Sequence, residues 1–364
     1  MDSGSGMCKA GFAGEEIPSV VFSSVVGRYI DPPRMPSLRE RHTFVGDEAH
    51  ARRGVLHLNY PMQGGTISDL DDMEALWQHA FQQMRASPSE SPVLLTEAPL
   101  RPKANREKLL QLLFERFSAP GSFVALKPVL SLLACGRSWG IVLQIGEGCC
   151  TTLAILDGHI FSRCTQRTDL AGRELTQLLA GQLGERGYSL GSPAELEIAR
   201  EIKEKHCYVA LDPDEETCTA ASSAALLKTH QLPDGHSLLL GSERFRCPEL
   251  LFRPALLGRE GPGVHELVHG AIRSAEVDER RVLYGNVVLA GGSTMFPGMV
   301  ERMQKELSRL APASVGVRVV APPERKYSVW IGGSILASMS HFRWITREEY
   351  EETGPVIAHT ISCT

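Results

Sequence analysis

Three short glycine-rich segments, each set against an apolar run, constrain this chain more than any other feature. They read Asp2-Ser-Gly-Ser-Gly-Met-Cys-Lys9, Gln144-Ile-Gly-Glu-Gly148 and Val287-Val-Leu-Ala-Gly-Gly-Ser-Thr-Met-Phe-Pro-Gly298. Glycine lets the backbone approach a ligand closely, and successive N–H groups can then cradle the oxygens of a phosphate. Lys9 could add a point charge to the same oxygens, and Asp2 could orient a magnesium-bound water. The third segment runs strand, glycine pair, helix, a second kind of anion site with room for a flat ligand. Taken singly, each of the first two is more often an ordinary hairpin turn. Three in one chain favour phosphate binding.

Around these segments, β-branched apolar runs alternate with helical patterns, the signature of an α/β protein. Strands are predicted at 140–144, 152–156 and 286–290, and helices at 71–85, 103–117, 174–186, 195–205 and 298–309. In the last helix Met299, Val300, Met303 and Leu307 form one apolar stripe, with Pro297 near the first turn. The 364 residues exceed what one ordinary core supports, so two or more lobes are expected. The stretch 29–42 carries Pro32, Pro33 and Pro36 among Arg34, Arg39 and Arg41, and reads as an exposed basic loop. Residues 232–236, Leu-Pro-Asp-Gly-His, read as a turn.

Composition excludes several classes. At 43 % apolar and 22 % charged residues, the chain is globular rather than disordered. A net charge of −5 offers no electrostatic footing on nucleic acid or an anionic membrane. No uncharged run approaches the ~18–20 residues that span a bilayer. The start lacks the basic and apolar regions of a secretory signal. Nine scattered cysteines without a Cys-x-x-Cys speak against zinc and redox chemistry and for a reducing compartment. A cytoplasmic location is expected.

Longer motifs then narrow the class. Lys9-Ala-Gly-Phe-Ala-Gly14, Thr96-Glu-Ala-Pro-Leu100, Lys103-Ala-Asn-Arg-Glu-Lys108, Asp169-Leu-Ala-Gly-Arg173, Ile202-Lys-Glu-Lys205, Glu243-Arg-Phe-Arg-Cys-Pro248 and Pro322-Pro-Glu-Arg-Lys-Tyr-Ser-Val-Trp-Ile-Gly-Gly333 stand as they do in actins. The chain resembles the actin family from Asp2 nearly to its end, as a divergent, actin-like member. That resemblance implies the α/β ATPase fold shared with Hsp70 and hexokinase, two lobes of two subdomains around a nucleotide cleft. Its boundaries would be 1–23, 61–134 and 328–364 for subdomain 1, 24–60 for subdomain 2, 135–170 and 260–327 for subdomain 3, and 171–259 for subdomain 4.

By the same resemblance, ATP or ADP would be held by Asp2, Ser5, Gly6 and Lys9 on the first turn and by Gly146, Glu147 and Gly148 on the second. Gly172, Arg200, Lys203, Glu204, Gly291, Gly292, Ser293, Met295, Phe296 and Lys326 would form the adenosine side. By spacing alone, Lys203 and Glu204 are a solvated helix face. Phe296 stands where actins have tyrosine, which keeps the apolar wall and loses a hydroxyl.

Three departures bear on hydrolysis. Lys127 replaces a glutamine near the attacking water, Gln144 an aspartate of the magnesium and water network, and Thr151 a histidine that helps order it. Phosphoryl transfer depends on oriented water and on metal charge. A protonated lysine cannot accept the water's proton, and an amide does not attract the cation. The expectation is ATP binding with hydrolysis impaired or absent and magnesium, through Asp2, weakened. Lys127 would take over part of the cation's role, so binding should depend less on magnesium than in actin. The opposing possibility is a cleft without nucleotide, in which Lys127 meets solvent or Glu147.

Other departures concern partners. The basic, proline-stiffened loop and Arg259, at an apolar plug position of actins, make self-polymerisation doubtful, because a buried subunit contact tolerates an unpaired charge poorly. Co-assembly with actin or capping stays open. A groove lined by Leu133, Gly136, Ser138, Ile335, Leu336, Met339 and His341 would take an amphipathic partner helix. Its rim, Ser340-His-Phe-Arg-Trp344, is two residues shorter than in actins. Actins also carry a buried apolar strand before the position of Asp2, where this sequence has only Met1; the sequence reads as beginning inside a longer chain. Three functions follow: a hydrolysis-impaired cytoskeletal interaction protein, an active filament-forming ATPase, or a nuclear subunit of a chromatin-remodelling assembly.

Overall fold

Buried β-branched runs become strands here because each finds a hydrogen-bonded neighbour on a sheet covered by helices. A computed structural model describes residues 1–30, 43–188, 190–232 and 235–360. Residues 31–42 of the expected basic loop and 233–234 of the expected turn lie outside the described residues. The central sheet has five strands in the order His159–Thr168, Cys150–Leu156, Gly140–Ile145, Val287–Ala290 and Val319–Val320. The first three are antiparallel neighbours, and Gly140–Ile145, Val287–Ala290 and Val319–Val320 run parallel. Among the described residues three three-stranded sheets accompany it: one joins Asp2–Ser3, Met7–Ala10 and Val20–Ser23, another joins Ile345–Thr346, Gly121–Leu126 and Val93–Glu97, and the third joins Thr43–Val45, Val26–Tyr29 and Leu56–Asn59.

Two large apolar cores divide the chain. One gathers Ile141, Leu179, Ile202, Phe252, Val268, Leu289 and Met303; the other gathers Cys8, Trp77, Leu95, Leu110, Phe114 and Tyr350. The helix Lys127–Ala134 stands between sheets, with Leu130 packed among Leu94, Phe123, Ala125 and Val329, and Leu132 among Val142, Leu153 and Val288. It crosses the helix Ser328–Ala337 so closely that a Cβ on Gly332 would fall 1.8 Å from the Leu130 carbonyl oxygen. Met1 donates its ammonium proton to the Leu94 carbonyl at 2.6 Å, beside a cavity of about 510 Å³ lined by Ala10, Phe81, Met84, Leu94 and Trp330.

The five expected helices are present as Leu70–Met84, Lys103–Gln111, Gly172–Glu185, Pro193–His206 and Met299–Leu310. Asp69 caps the first by accepting from the Asp71 and Asp72 amides, each at 3.0 Å. The helix expected over 103–117 changes type: Leu112–Arg116 is a π-turn. Leu112, Leu113 and Phe114 are all buried in succession, a wider apolar arc than a regular helix turns to one core, and the backbone widens there.

Two glycine substitutions separate close approach from mere permissiveness. Gly332→Ala should destabilise the protein by about 1–3 kcal/mol or more through overpacking. Gly181→Ala, in the exposed face of Gly172–Glu185 with nothing within 4 Å of its added Cβ, should stabilise by about 0.5–1 kcal/mol. Denaturant unfolding of both variants measures this, and a neutral Gly332→Ala would contradict the crossing.

Candidate functional site

The first two glycine segments are both hairpin turns, and their meeting makes the site. In the first, Asp2 pairs with Lys9 and Ser3 with Cys8, and the Gly4 amide donates to the Met7 carbonyl at 3.0 Å. In the second, Gln144 pairs with Thr151 and Ile145 with Cys150, and the Gly146 amide donates to the Cys149 carbonyl at 3.0 Å. The turns interlock. A Cβ on Gly6 would fall 2.9 Å from the Glu147 Cβ, and one on Gly148 would fall 2.5 Å from Ser5 Oγ. Both positions need glycine for want of space rather than for backbone freedom.

Beneath the first turn, one carboxylate serves two cations. Asp2 Oδ2 lies 3.1 Å from Lys9 Nζ and Asp2 Oδ1 lies 3.1 Å from Lys127 Nζ, with side-chain exposures of 3 %, 12 % and 11 % for Asp2, Lys9 and Lys127. Thr96 Oγ1 donates to Asp2 Oδ1 at 2.7 Å, and Lys127 also donates to the Ser3 carbonyl at 3.2 Å. Burial opposes ionisation of Asp2. The charge of Lys127, then that of Lys9, outweighs it and holds the carboxyl far below its ordinary range. Lys127 therefore meets neither solvent nor Glu147; it is docked on the first turn. Its charge also acts across to the second: burial pushes the Cys149 thiol up to about 11, with Lys127 pulling the other way.

Gln144 and Thr151 are cross-strand partners, and Thr151 is buried. Gln144 Oε1 is buried without a hydrogen-bond donor. The three departures from the actin pattern thus lie around the two turns, one supplying positive charge and two supplying neutral polar groups.

Of the expected adenosine side, Gly172, Lys203, Gly291 and Ser293 meet the second hairpin. The Gly146 carbonyl accepts from the Gly172 amide at 3.0 Å and from Ser293 Oγ at 2.8 Å, and the Glu147 carbonyl accepts from the Arg173 amide at 2.9 Å. Lys203 leaves the helix face that spacing gave it. Its side chain is 4 % exposed, and its ammonium donates to the Gly172 carbonyl at 2.7 Å and to Thr176 Oγ1 at 2.8 Å and lies 3.6 Å from Glu147 Oε2. Glu204, its neighbour, is exposed.

Gly291, at φ 93°, would put a Cβ 2.3 Å from the Ile145 carbonyl oxygen, which holds the third segment against the second hairpin. That segment forms a single 3₁₀ turn, Gly292–Thr294, and the long helix starts only at Met299, after Gly298 in the left-handed region. Met295 and Gly292 are exposed, Phe296 is buried in the larger core, and Lys326 lies over the Tyr327 ring. Arg200 pairs with Glu197 at 3.0 Å and reaches Ser23 Oγ at 3.5 Å.

Sequence reasoning missed the groups that close over this region. Tyr60 donates its hydroxyl to Glu197 Oε1 at 2.7 Å, and His50 Nε2 stands 3.9 Å from Glu197 Oε2. These contacts join residues more than a hundred positions apart, and nothing in local spacing announces them. The residues expected to line a partner groove divide between core and surface. Leu336 packs on the core around Leu94, while Ile335 and Met339 are 39 % and 47 % exposed and His341 is exposed.

The donor chemistry decides what the site could hold. The interlocked turns, with positions 6 and 148 free of side chain and two ammonium groups beneath, suit polyphosphate oxygens. A resident magnesium ion is poorly served: both oxygens of Asp2 are engaged by cations, Gln144 is neutral, and no cluster of three or more His, Cys, Asp or Glu among the described residues could hold a metal. No helix among the described residues is long and apolar enough to cross a membrane.

A five-stranded mixed sheet whose hairpin interlocks with a second glycine hairpin, backed by a third glycine segment, defines the actin-like ATPase fold class. The family model described as Actin matches residues 1–362 of the 364, and the chain belongs to the actin family. Proteins of this family generally bind nucleotide and magnesium, and their fold suits interaction with other proteins.

Because the folded pKa of Asp2 is depressed, its ionisation stabilises the protein above the ordinary carboxyl pKa of 3.8, and that contribution is lost as pH falls below it. Asp2→Asn leaves two buried lysines facing each other and should cost about 3–5 kcal/mol at neutral pH. Denaturant unfolding from pH 7 down to about 3 should show the wild-type advantage shrinking below about pH 4. A gap independent of pH would contradict the pairing.

Proposed function

We propose that this actin-family protein holds ATP between its two glycine hairpins, hydrolyses it slowly or not at all, and works through protein–protein contacts in the cytoskeleton of the cytoplasm. The observation that carries the reading is Lys127, docked at 3.1 Å on Asp2 and hydrogen-bonded to the first turn. An ammonium group at that place attracts phosphate oxygens and cannot take a proton from water. The oxygens of Asp2 that could orient a metal-bound water are engaged, and Gln144 adds no charge. The site thus keeps binding electrostatics and loses the two elements that phosphoryl transfer needs, a positioned water and a metal charge.

Interaction would then be the product of the bound state rather than of turnover. Ile335 and Met339 give the groove apolar anchors for an amphipathic helix. Arg259 is exposed, and seating it in an apolar subunit contact would cost several kcal/mol without a partner, so ordinary self-assembly is disfavoured while co-assembly with actin is allowed.

Denaturing the purified protein and identifying the nucleotide released tests this. ATP is the expected result. ADP would instead support an active ATPase, and release of nothing would overturn binding. Magnesium-dependent phosphate release that disappears in Lys9→Met would overturn the loss of hydrolysis.

A further inference from the structure

One imidazole stands between two cores without a partner. His50 lies in the short helix Asp47–Ala51, whose Ala49 shares a small core with Val25, Phe44 and Leu56, and Tyr60 packs against that core. Opposite it, Glu197 and Arg200 lie on the helix Pro193–His206, anchored in the larger core through Ala199 and Ile202. What joins the two sides here is polar. Tyr60 donates to Glu197 Oε1 at 2.7 Å, and Arg200 Nη2 lies 3.0 Å from Glu197 Oε2 and donates to Ser23 Oγ at 3.5 Å. His50 Nε2 stands 3.9 Å from Glu197 Oε2.

That last approach is too long for a hydrogen bond, and both ring nitrogens of His50 are buried with no hydrogen-bond partner. An imidazole carries at least one N–H, so even the neutral ring leaves a donor unsatisfied. Protonation would add a second buried donor and a charge. Glu197 offers that charge no free place, since one oxygen holds Tyr60 and the other faces Arg200. The other charges that act on the ring, Asp47 on its own helix and Arg53 just beyond it, oppose each other in sign. Burial outweighs the attraction of Glu197 and holds the imidazole below its ordinary pKa of 6.5. Burial, then the charge of Glu197, pushes the Tyr60 hydroxyl up, so Tyr60 stays a donor while His50 titrates.

We propose that His50, Tyr60, Glu197 and Arg200 form a proton-released clasp between the two sides, shut while the imidazole is neutral and opened when it takes a proton. The sign follows from linkage. A parted clasp returns His50 to water and to its ordinary pKa, so the open form binds the proton better, and opening grows as pH falls through 6.5. The helix that carries Glu197 also carries Lys203, 3.6 Å from Glu147 on the second hairpin, so the clasp governs access to the hairpins. It stands independently of whether they hold ATP.

Fluorine NMR of the full chain grown with fluorotyrosine tests the clasp, the Tyr60 signal being assigned by its loss in Tyr60→Phe. From about pH 7.5 to about 5.5 the wild-type signal should move toward its solvent-exposed position, the open-to-closed ratio rising by up to about tenfold. His50→Gln, neutral at every pH, should hold that ratio constant within about twofold. The idea is overturned by no movement in the wild type, by equal movement in His50→Gln, or by movement toward the closed position on acidification. That last result would make the clasp an imidazolium–carboxylate pair that acid tightens. Should His50→Gln fail to fold, the wild-type profile decides: opening should set in near pH 6.5, and opening that sets in only at about pH 4, where carboxylates titrate, overturns the clasp.

Discussion

The Asp2 carboxylate, held between Lys9 and Lys127, is the interaction on which the rest of the site depends. It ties three elements together: the first hairpin through Lys9, the strand Val93–Glu97 through Thr96, and the helix Lys127–Ala134 through its first residue. That helix in turn packs on both neighbouring sheets and crosses Ser328–Ala337 at Gly332. One buried anion with two cations leaves a net positive charge under the first turn, in surroundings that exclude water. Such a charge is costly unless something anionic sits above it, and the glycine turns leave the backbone open where that anion would lie.

The opposite side of the site follows from the same economy of charge. Glu147 answers Lys203, Glu197 answers Arg200, and Tyr60 donates to Glu197 across the region. The second hairpin is thus held by the carbonyl of Gly146, which accepts from Gly172 and Ser293, rather than by the ion pairs alone. Two glycine turns are clamped from both ends, while the three positions that depart from the actin pattern hold a cation and two neutral groups.

How much of this was legible in the sequence depends on how local the signal was. Strands 140–144 and 152–156 and the five expected helices stand close to their predicted limits, because a continuous apolar run and a 3.6-residue stripe both report burial directly. Ser328–Ala337 carried no such stripe: it is apolar nearly all round, and Gly332-Gly333 argue locally against helix. Tertiary packing overrides that preference. At the site, the glycine hairpins were legible as turns and the resemblance to actins supplied their partners. Lys203 shows the limit of spacing, which placed it in solvent though its ammonium is buried on Gly172.

The central claim is that Lys127 does electrostatically what a metal ion does elsewhere in the family. ATP affinity measured against free magnesium, in the wild type and in Lys127→Gln/Gln144→Asp, tests it most directly. Chelating magnesium should cost the wild type little and the double variant tenfold or more, about 1.4 kcal/mol. Equal losses in the two proteins would contradict it.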